Sequence, residues 1–176
     1  MQKKTINHPK ADEVARIRFQ TKMLQYELAN RHIVHLDESG FALDAPRTHG
    51  YTLRGERCYG SWDWHARGRL NAIGAIINFK FLTVTFFDSY IDSDVFYAWV
   101  TQDLLPKTPP RSVIVMDNAS FHKREDIMKA FLNAGHEVVF LPPYSPDLNP
   151  IEHKWAQAKS LRRKLKCHPY KLFDFL

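Results

Sequence analysis

Ser112-Val113-Ile114-Val115-Met116-Asp117-Asn118 is a short apolar run that ends abruptly on a carboxylate and an amide. A β-rich run of this length, closed by a turn signal, predicts a buried strand. Asp117 then lies at the carboxyl end of the strand, the edge at which open α/β sheets bind ligands. The run therefore predicts a central strand that presents Asp117 to a binding site.

Downstream of this strand, a proline-rich loop leads into a basic helix. The loop reads Leu141-Pro142-Pro143-Tyr144-Ser145-Pro146-Asp147-Leu148-Asn149-Pro150-Ile151-Glu152. Pro150 suits the first position of a helix with Asn149 as its N-cap, and Glu152 then lies two residues further in. Because both elements have little freedom, Asp117 and Glu152 together favour a metal site.

Upstream, a second predicted strand also ends on carboxylates. It reads Ile33-Val34-His35-Leu36-Asp37-Glu38-Ser39-Gly40. Side chains alternate along a strand, so Ile33, His35 and Asp37 share one face and Val34, Leu36 and Glu38 the other. Asp37 is thus a third acid at the end of a rigid element.

The remaining pattern predicts one α/β domain with a mixed sheet. The predicted order is strand, strand, strand, helix, strand, helix, strand, helix. The further elements are a hairpin at 51–59, strands at 69–78 and 81–88, helices at 93–105 and 123–134, and a strand at 138–141. The hairpin belongs to an excursion at 41–67 that is inserted between the first two strands.

The first thirty residues are predicted as a basic arm and a linker helix, and 31–176 as the domain. Apolar and small residues recur at spacings of three and four in the helix, at Val14, Ile17, Thr21, Leu24 and Leu28. This stripe could dock on the domain or pair with another chain. Docking is favoured, because coiled coils usually extend over three or four heptads.

Composition is that of a globular protein. The chain has 176 residues, of which 44% are hydrophobic and 13% aromatic, enough for one substantial core. No apolar run approaches the length of a membrane helix, and the polar start has no signal-peptide core. Cys58 and Cys167 show no paired spacing, which favours a reduced intracellular setting.

Charge is concentrated near the end of the chain. The net charge is +6, and the segment 153–171 contains no acid. Its basic residues are Lys154, Lys159, Arg162, Arg163, Lys164, Lys166 and Lys171. A solvated helix end whose cations suit the helix dipole would explain any one of them. For the run as a whole, a nucleic-acid partner is favoured.

Three acids at element ends suit metal-dependent phosphoryl transfer. Mg²⁺ binds carboxylates together with waters and substrate phosphates, and two such ions can activate a water or a 3′-hydroxyl and stabilise the leaving oxygen. Each acid has a structural alternative: Asp37 and Asp117 could cap turns, and Glu152 could close a capping box behind Asn149. Beside a basic helix, the three together favour the metal site.

Other residues are weaker candidates. His122 could contact DNA or a metal-bound water, or make an ordinary polar contact. Asn118 and Asn149 could hold the acids in place, or serve only as turn and cap. In the excursion, Arg54 and Arg57 could grip DNA, and Trp62 and Trp64 could stack on it or, as is slightly favoured, cover the sheet. There is no Gly-rich phosphate loop, so nucleotide hydrolysis is unsupported.

Three motifs together resemble the catalytic domain of IS630/Tc1/mariner-type transposases. They are the segments 36–40, 115–123 and 141–152 in a similarity that covers about 31–165, and 34 residues separate Asp117 from Glu152, as in that group. The resemblance implies an RNase H-like fold and a catalytic, metal-binding triad of Asp37, Asp117 and Glu152. It further implies Mg²⁺, with Mn²⁺ as a substitute, for cleaving and joining DNA at transposon ends.

The resemblance also implies a homodimer in the active complex and a cytoplasmic, nucleoid-associated location. One feature departs from the family pattern. About thirty residues precede the first predicted strand, too few for a helix-turn-helix region that recognises transposon ends. A catalytic fragment, a second reading frame or a degenerate copy would each explain this. The alternative function is therefore an inactive remnant that serves as a DNA-binding or dimerisation module.

Overall fold

The computed structural model describes residues 10–43, 52–57, 59 and 68–173. Five strands form one sheet in the order β3-β2-β1-β4-β5 within these ranges. The strands are β1 Ile33–Ala42, β2 Arg69–Ile77, β3 Lys80–Phe87, β4 Val113–Met116 and β5 Glu137–Phe140. The pairs β1–β2 and β2–β3 are antiparallel, whereas β1–β4 and β4–β5 are parallel. The predicted mixed sheet is confirmed.

Helices pack on both faces of this sheet. They are α1 Glu13–Leu28, α2 Ser93–Trp99, α3 Leu105–Lys107, α4 Glu125–Asn133, α5 Ile151–Leu165 and α6 Pro169–Leu172. A π-helical segment, Val100–Leu104, joins α2 to α3, and a 3₁₀ turn, Ser120–Lys123, precedes α4. No described helix is both long and apolar enough to cross a membrane.

Strand alternation divides the core into two faces, as predicted for β1. On one face, Val34 and Leu36 pack with Phe96 of α2 and Phe131 of α4. On the other face, Phe41 packs with α5 and α6, and the β4 residues Val113 and Val115 pack with α1. By the same alternation Asp37 lies on the face of α5, and Glu38 on the face of α2.

A close approach between Gly74 and Trp155 sets the position of α5. Gly74 lies opposite Asp37 in the β1–β2 register. A Cβ atom at Gly74 would lie 2.6 Å from Trp155 Cη2 and 2.8 Å from its Cζ2. The indole is fully buried there. The missing side chain of Gly74 therefore lets α5 pack close to the strand that carries Asp37.

The helix α1 does dock on the domain, but through a face other than the predicted stripe. Phe19 and Met23 are buried against β4 and β5. The buried Arg16 donates two hydrogen bonds to Asp147, at 2.9 and 2.7 Å. All five stripe residues from Val14 to Leu28 are exposed. The expectation that this stripe docks is wrong, because α1 carries apolar residues on two sides.

The predicted start of α5 is displaced by one residue. The helix begins at Ile151, Pro150 occupies the N-cap position, and no side chain caps it. The Asn149 side chain instead donates a hydrogen bond from Nδ2 to the Leu36 carbonyl at 3.3 Å. The capping-box explanation of Glu152 is therefore wrong, since its required cap is absent.

The turn between β2 and β3 lies at Asn78 and Phe79, whose φ angles are 49° and 60°, one residue before its predicted position. Two consecutive positive φ angles are typical of a two-residue hairpin turn. Most of the predicted inserted hairpin, with Trp62 and Trp64, lies outside the described residues. The described piece 52–57 holds a turn closed by a 3.0 Å bond from Glu56 N–H to the Leu53 carbonyl. The short helix α6 was not predicted.

Candidate active site

Asp37 and Asp117 lie at equivalent levels of two neighbouring parallel strands, Asp37 within β1 and Asp117 directly after β4. The β1–β4 register pairs His35 with Val115. Each Asp lies two residues beyond that pair, on the same face of the sheet. Parallel strands run about 4.8 Å apart, so the register carries the two acids to the same edge. The predicted strand end is confirmed for Asp117, which follows β4 directly. For Asp37 the prediction is wrong, because antiparallel pairing with β2 continues β1 as far as Ala42.

Glu152 reaches the same edge from the first turn of α5. The link between Asn149 and Leu36 fixes the chain just before this helix against the residue that precedes Asp37. One cleft has Asp37, Asp117 and Glu152 in its wall, together with the supporting candidates Asn118 and Asn149 and the proline-rich loop from Leu141 to Pro146. Its volume is about 370 Å³. The three predicted acids thus line one cavity.

Asp37 is in an environment that disfavours its charge. Burial, followed by the neighbouring carboxylates of Glu38, Glu152 and Asp117, raises the pKa of Asp37 to about 8. Like charges at short range and a low local dielectric both favour the protonated acid. Asp37 therefore needs a positive partner if it is to be ionised at neutral pH.

Asp117 already has such a partner in His122. The His122 side chain is 1% exposed, and its Nδ1 lies 2.8 Å from Asp117 Oδ1. This contact with the ring favours the ionised form of Asp117. Asp117 Oδ1 also accepts a hydrogen bond from the Ala119 N–H at 2.9 Å. His122 lowers the pKa of Asp117 despite partial burial.

His122 joins the two faces of the sheet. Its Nε2 lies 2.9 Å from Glu38 Oε1, and its ring packs between Phe96 and Phe121, with centroids 4.4 and 4.2 Å away. Burial opposes its charge, but contacts with Asp117 and Glu38 outweigh it and raise the pKa of His122 to about 9. A buried His122 cannot contact DNA directly, so that prediction is wrong; its supporting role stays a prediction.

The chemistry of these acids fits a hard divalent cation. Asp37 is a partly buried carboxylate among other carboxylates, and a cation would relieve that repulsion. Within the described residues, no three His, Cys, Asp or Glu side chains form a ready metal cage. Mg²⁺ does not require one, since it keeps several waters and takes oxygens from substrate phosphates. Asp37, Asp117 and Glu152 are the residues that would hold it.

The basic helix contains both exposed and buried cations. Arg163 and Lys164 are exposed, and Lys154 is partly exposed. Lys159 is partly buried over the Phe41 ring at 5.6 Å. Burial lowers the pKa of Lys159, although the charges of Glu152 and Asp37 raise it. Lys159 therefore lies within electrostatic reach of the acidic cleft.

Arg162 is a correction to the predicted DNA-binding set. Its residue exposure is 5%. Its guanidinium donates hydrogen bonds to the carbonyl oxygens of Cys167 at 3.2 Å, of Leu43 at 2.6 Å and of Ala42. Arg162 is thus directed inward and fastens the end of α5 to the end of β1. In the excursion, Arg54 and Arg57 are exposed, and their DNA contacts stay a prediction.

Sequence reasoning missed two connections around the site. One is Glu38, which strand alternation places on the opposite face and for which the sequence predicts no role. The other is the ion pair of Arg16 and Asp147, which holds the proline-rich loop to α1. The acid next to Asp37 in the sequence could have been a signal for Glu38. Nothing in the sequence pattern singled out Arg16.

The fold is that of the RNase H-like catalytic domains of transposases and integrases. The solved Mos1 transposase paired-end complex with left transposon end aligns with a TM-score of 0.69, 16% identity, 92% of this chain and 53% of that chain. The Mos1 transposase catalytic domain, solved with Raltegravir and Mg, aligns with a TM-score of 0.60, 14% identity, 89% of this chain and 76% of that one.

A viral integration complex has a related fold. The simian T-cell lymphotropic virus intasome, in complex with PP2A regulatory subunit B56 gamma, aligns with a TM-score of 0.55 and 14% identity, over 77% of this chain and 41% of that one. No curated protein matches this chain in sequence.

The family is established by sequence. The profile described as DDE superfamily endonuclease matches residues 32–170. The chain belongs to this family, and the resemblance to IS630/Tc1/mariner-type transposases is confirmed at the level of family and fold. The chain spans about half the length of the Mos1 transposase in its paired-end complex.

Proposed function

We propose that this chain is the catalytic domain of a transposase that cleaves DNA strands at transposon ends and joins them to a target. The observation that carries the proposal is the single cleft lined by Asp37, Asp117 and Glu152. Membership of the DDE superfamily endonucleases supports it. The Mos1 structures solved with Mg or Mn support the choice of cation.

The three acids would hold Mg²⁺, or Mn²⁺ in its place, as two ions. The bound metal would activate a water for cleavage or a DNA 3′-hydroxyl for joining, and stabilise the leaving oxygen. The chain supplies the arrangement of the acids. Charged His122 and the Ala119 N–H both hold Asp117 through its Oδ1, and Asn149 sets the start of α5 beside β1. Asn118 donates a hydrogen bond to the Leu141 carbonyl and holds the proline-rich loop.

DNA would reach this cleft along the exposed side of α5. Lys154, Lys159, Arg163 and Lys164 are the proposed phosphate contacts on this helix, and Arg54 and Arg57 those in the excursion. Contacts of this kind are electrostatic and largely independent of sequence. We also propose that the chain acts inside the cell, at the nucleoid, and that its active form is a homodimer.

The solved Mos1 transposase is about twice as long as the aligned chain. In the complete assembly, another region or a separate polypeptide would therefore recognise the particular transposon end and supply sequence specificity. The catalytic cleft described here would accept the bound DNA in either case.

The deciding experiment is a Mn²⁺-supported DNA nicking assay on the wild type and Glu152→Gln. Glu152 is exposed and caps nothing, so this change should alter the free energy of unfolding by less than about 1 kcal/mol. Nicking should collapse, because Gln keeps the shape of Glu and loses its charge. Glu125→Gln is a matched control, since Glu125 also lies in the first turn of a helix and its side chain is 81% exposed.

The inactive-remnant alternative predicts a different pattern. Wild type would then neither nick DNA nor bind Mn²⁺ at the acids, although it would still bind DNA. A Glu152→Gln variant that melts normally and nicks like wild type would instead remove Glu152 from the site. The two failures are distinguishable because only the first affects the wild type.

A further inference from the structure

The helix α1 presents a second apolar stripe to solvent. The docked stripe contains Arg16, Phe19, Met23 and Tyr26, and these are buried or partly buried. The other stripe is the seam defined by Val14, Ile17, Thr21, Leu24 and Leu28, all exposed. Its aliphatic members are 56%, 53%, 54% and 76% exposed in chain order. Single exposed apolar residues are ordinary, whereas four on one line of a helix are not.

The seam lies on the side of α1 opposite the domain. Successive residues turn by about 100° around a helix, which places the centre of the seam roughly 160° from the centre of the docked stripe. A partner on the seam would therefore not collide with the sheet beneath α1. Among the described residues, the docking contacts leave this side of the helix open.

Ion pairs as well as apolar packing fix the position of α1 on the domain. Arg16 pairs with Asp147 at its beginning. Near its end, the Tyr26 hydroxyl donates a hydrogen bond to Glu137, to which Lys22 and Arg31 also pair at 3.3 and 2.7 Å. The seam is thus already helical in the single chain. A partner helix would not need to induce it.

We infer that the seam pairs with the same seam of a second copy of this chain, in parallel. The spacing of its residues is three, four, three and four. This is the a and d pattern of a two-stranded coiled coil, in which each helix supplies the same face. The docked residues Arg16, Phe19, Met23 and Tyr26 then occupy the outer c and f positions. A two-fold axis along the helix pair makes the interface self-complementary.

Charges beside the seam favour the parallel arrangement. Glu13 takes a g position and Arg18 the following e position, and these two positions meet across a parallel pair. Both copies of that contact would join opposite charges. In an antiparallel pair g positions face each other, and Glu13 would lie against Glu27 of the other chain. Only the parallel pair avoids this repulsion.

The seam extends over only two heptads, so the pairing should be weak. Isolated helices of this length are marginal in water because helix nucleation is costly. Here α1 is already ordered by docking, which removes that cost. The interface is small by the standards of stable complexes, and we expect a dissociation constant of roughly 10–100 µM.

This inference gives the homodimer of the proposed function a surface, and its catalytic relevance rests on that function. The pairing itself needs neither metal nor DNA. Sedimentation velocity of the full chain, without DNA and across concentrations on both sides of the expected constant, should show a monomer–dimer equilibrium. Ile17→Lys combined with Leu24→Lys should weaken it at least about tenfold, because both d positions would bury a charge. Melting curves should be unchanged, since both side chains are exposed in the monomer.

Leu132→Lys on α4 is the matched control, with the same chemical change at a position that is 72% exposed. It should dimerise like the wild type. Arg18→Glu should weaken the dimer, and Glu13→Arg added to it should restore association if the helices are parallel. A wild type that is monomeric throughout, a seam variant that dimerises normally, or a Leu132→Lys that fails equally would each overturn the inference. Nicking activity is measured separately, so its absence would bear only on the proposed catalysis.

Discussion

The two aspartates of the cleft are held in opposite ways. Asp117, at the end of β4, is paired with a buried His122, which Glu38 contacts from the other face of the sheet. Asp37, in the middle of β1, is partly buried and surrounded by carboxylates, and its pKa rises to about 8. Both stand at equivalent positions on neighbouring strands. Their difference comes from the side chains around them and from the greater burial of Asp37 within β1.

The two sides of the cleft therefore differ in how far they are prepared to bind a metal ion. The β4 side is ordered before metal arrives, because Asp117 already has a positive partner. On the β1 side, Asn149 and the packing of Trp155 on Gly74 fix the positions of Asp37 and the exposed Glu152. The negative charges of these two acids are not compensated. A divalent cation would supply the missing charge there.

The largest expected effect is on catalysis, where the two acids should behave alike. Asp37→Asn and Asp117→Asn should each reduce Mn²⁺-supported nicking on the order of 10³-fold, about 4 kcal/mol of activation free energy. Each removes one charge from the same cation site. Asp88→Asn, at the exposed end of β3, should leave nicking unchanged. If either active-site variant retained nicking activity, that acid would not be part of the metal site.

Gly74→Ala should disturb only the β1 side of the cleft, where Asp37 and Glu152 lie. The new Cβ would contact Trp155 at 2.6 Å, so α5 must move away from β2 and carry Glu152 with it. We expect a loss of about 2–3 kcal/mol in the free energy of unfolding, typical of overpacking a core. Adding Trp155→Phe should recover part of the stability by making room. A Gly74→Ala protein that melts like the wild type would show that α5 packs less closely than described.

The pH dependence of metal-free stability should contain a contribution from Asp37, beside those of His35, whose burial lowers its pKa to about 4, and of His122, whose pKa is raised to about 9. The unfolded chain loses the Asp37 proton near pH 4, and the folded chain near pH 8. Between these values the folded state binds more protons, so stability should fall as pH rises, on the order of 2 kcal/mol because solvent reaches part of the side chain. Urea unfolding in EDTA at several pH values measures it as the difference in slope between the wild type and Asp37→Asn, whose stability should fall less steeply.

Asp103→Asn supplies the control for this slope. Burial opposes ionisation of Asp103, but hydrogen bonds from Lys107, Thr83 and Thr85 outweigh it and lower its pKa. Its stabilising contribution is complete above the ordinary carboxyl pKa and is lost only at lower pH. Asp103→Asn should therefore reduce stability while leaving the slope between pH 4 and pH 8 as in the wild type. A flattened slope in this variant would mean that Asp37 is not its source.

The smallest expected effect concerns Glu38, which acts through His122. Glu38→Gln keeps a hydrogen-bond acceptor near His122 Nε2 but removes the charge that helps to hold the ring. Loss of such an outer contact typically weakens a metal site by 10–100-fold, and we expect about tenfold weaker Mn²⁺ affinity by calorimetry. Glu137→Gln, on β5 and remote from the cleft, is the comparison variant. Equal Mn²⁺ affinities in the wild type and Glu38→Gln would show that the contact between Glu38 and His122 has only a structural role.

The parts that sequence predicted are those fixed by local pattern. Strand boundaries at Ile33 and Val113 follow from short apolar runs, and alternation places Asp37 and Glu38 on opposite faces. The same alternation gives no signal for the role of Glu38, because its link to Asp117 passes through His122 on a 3₁₀ turn just before the predicted helix. A contact that crosses from one face to the other has no periodic signature.

The misses in the helices have a similar cause. Within the cationic run of α5, burial of Arg162 depends on the carbonyls of Ala42 and Leu43, which are distant in sequence. In α1, spacing identified one apolar stripe correctly but could not say which side of the helix meets the sheet. The one-residue shift at Asn149 arises because its side chain bonds to β1 and leaves the helix uncapped.

The most direct test of the account is to locate Mn²⁺ by anomalous scattering in crystals of the wild-type chain soaked at neutral pH. We predict a peak in the cleft within coordination distance of both Asp37 and Asp117, at roughly 2.0–2.6 Å from their oxygens. The peak should be absent from Asp37→Asn crystals, in which His122 still holds Asp117. Manganese bound elsewhere, or a cleft that stays empty in soaked wild-type crystals, would contradict the claim that these acids form a metal site.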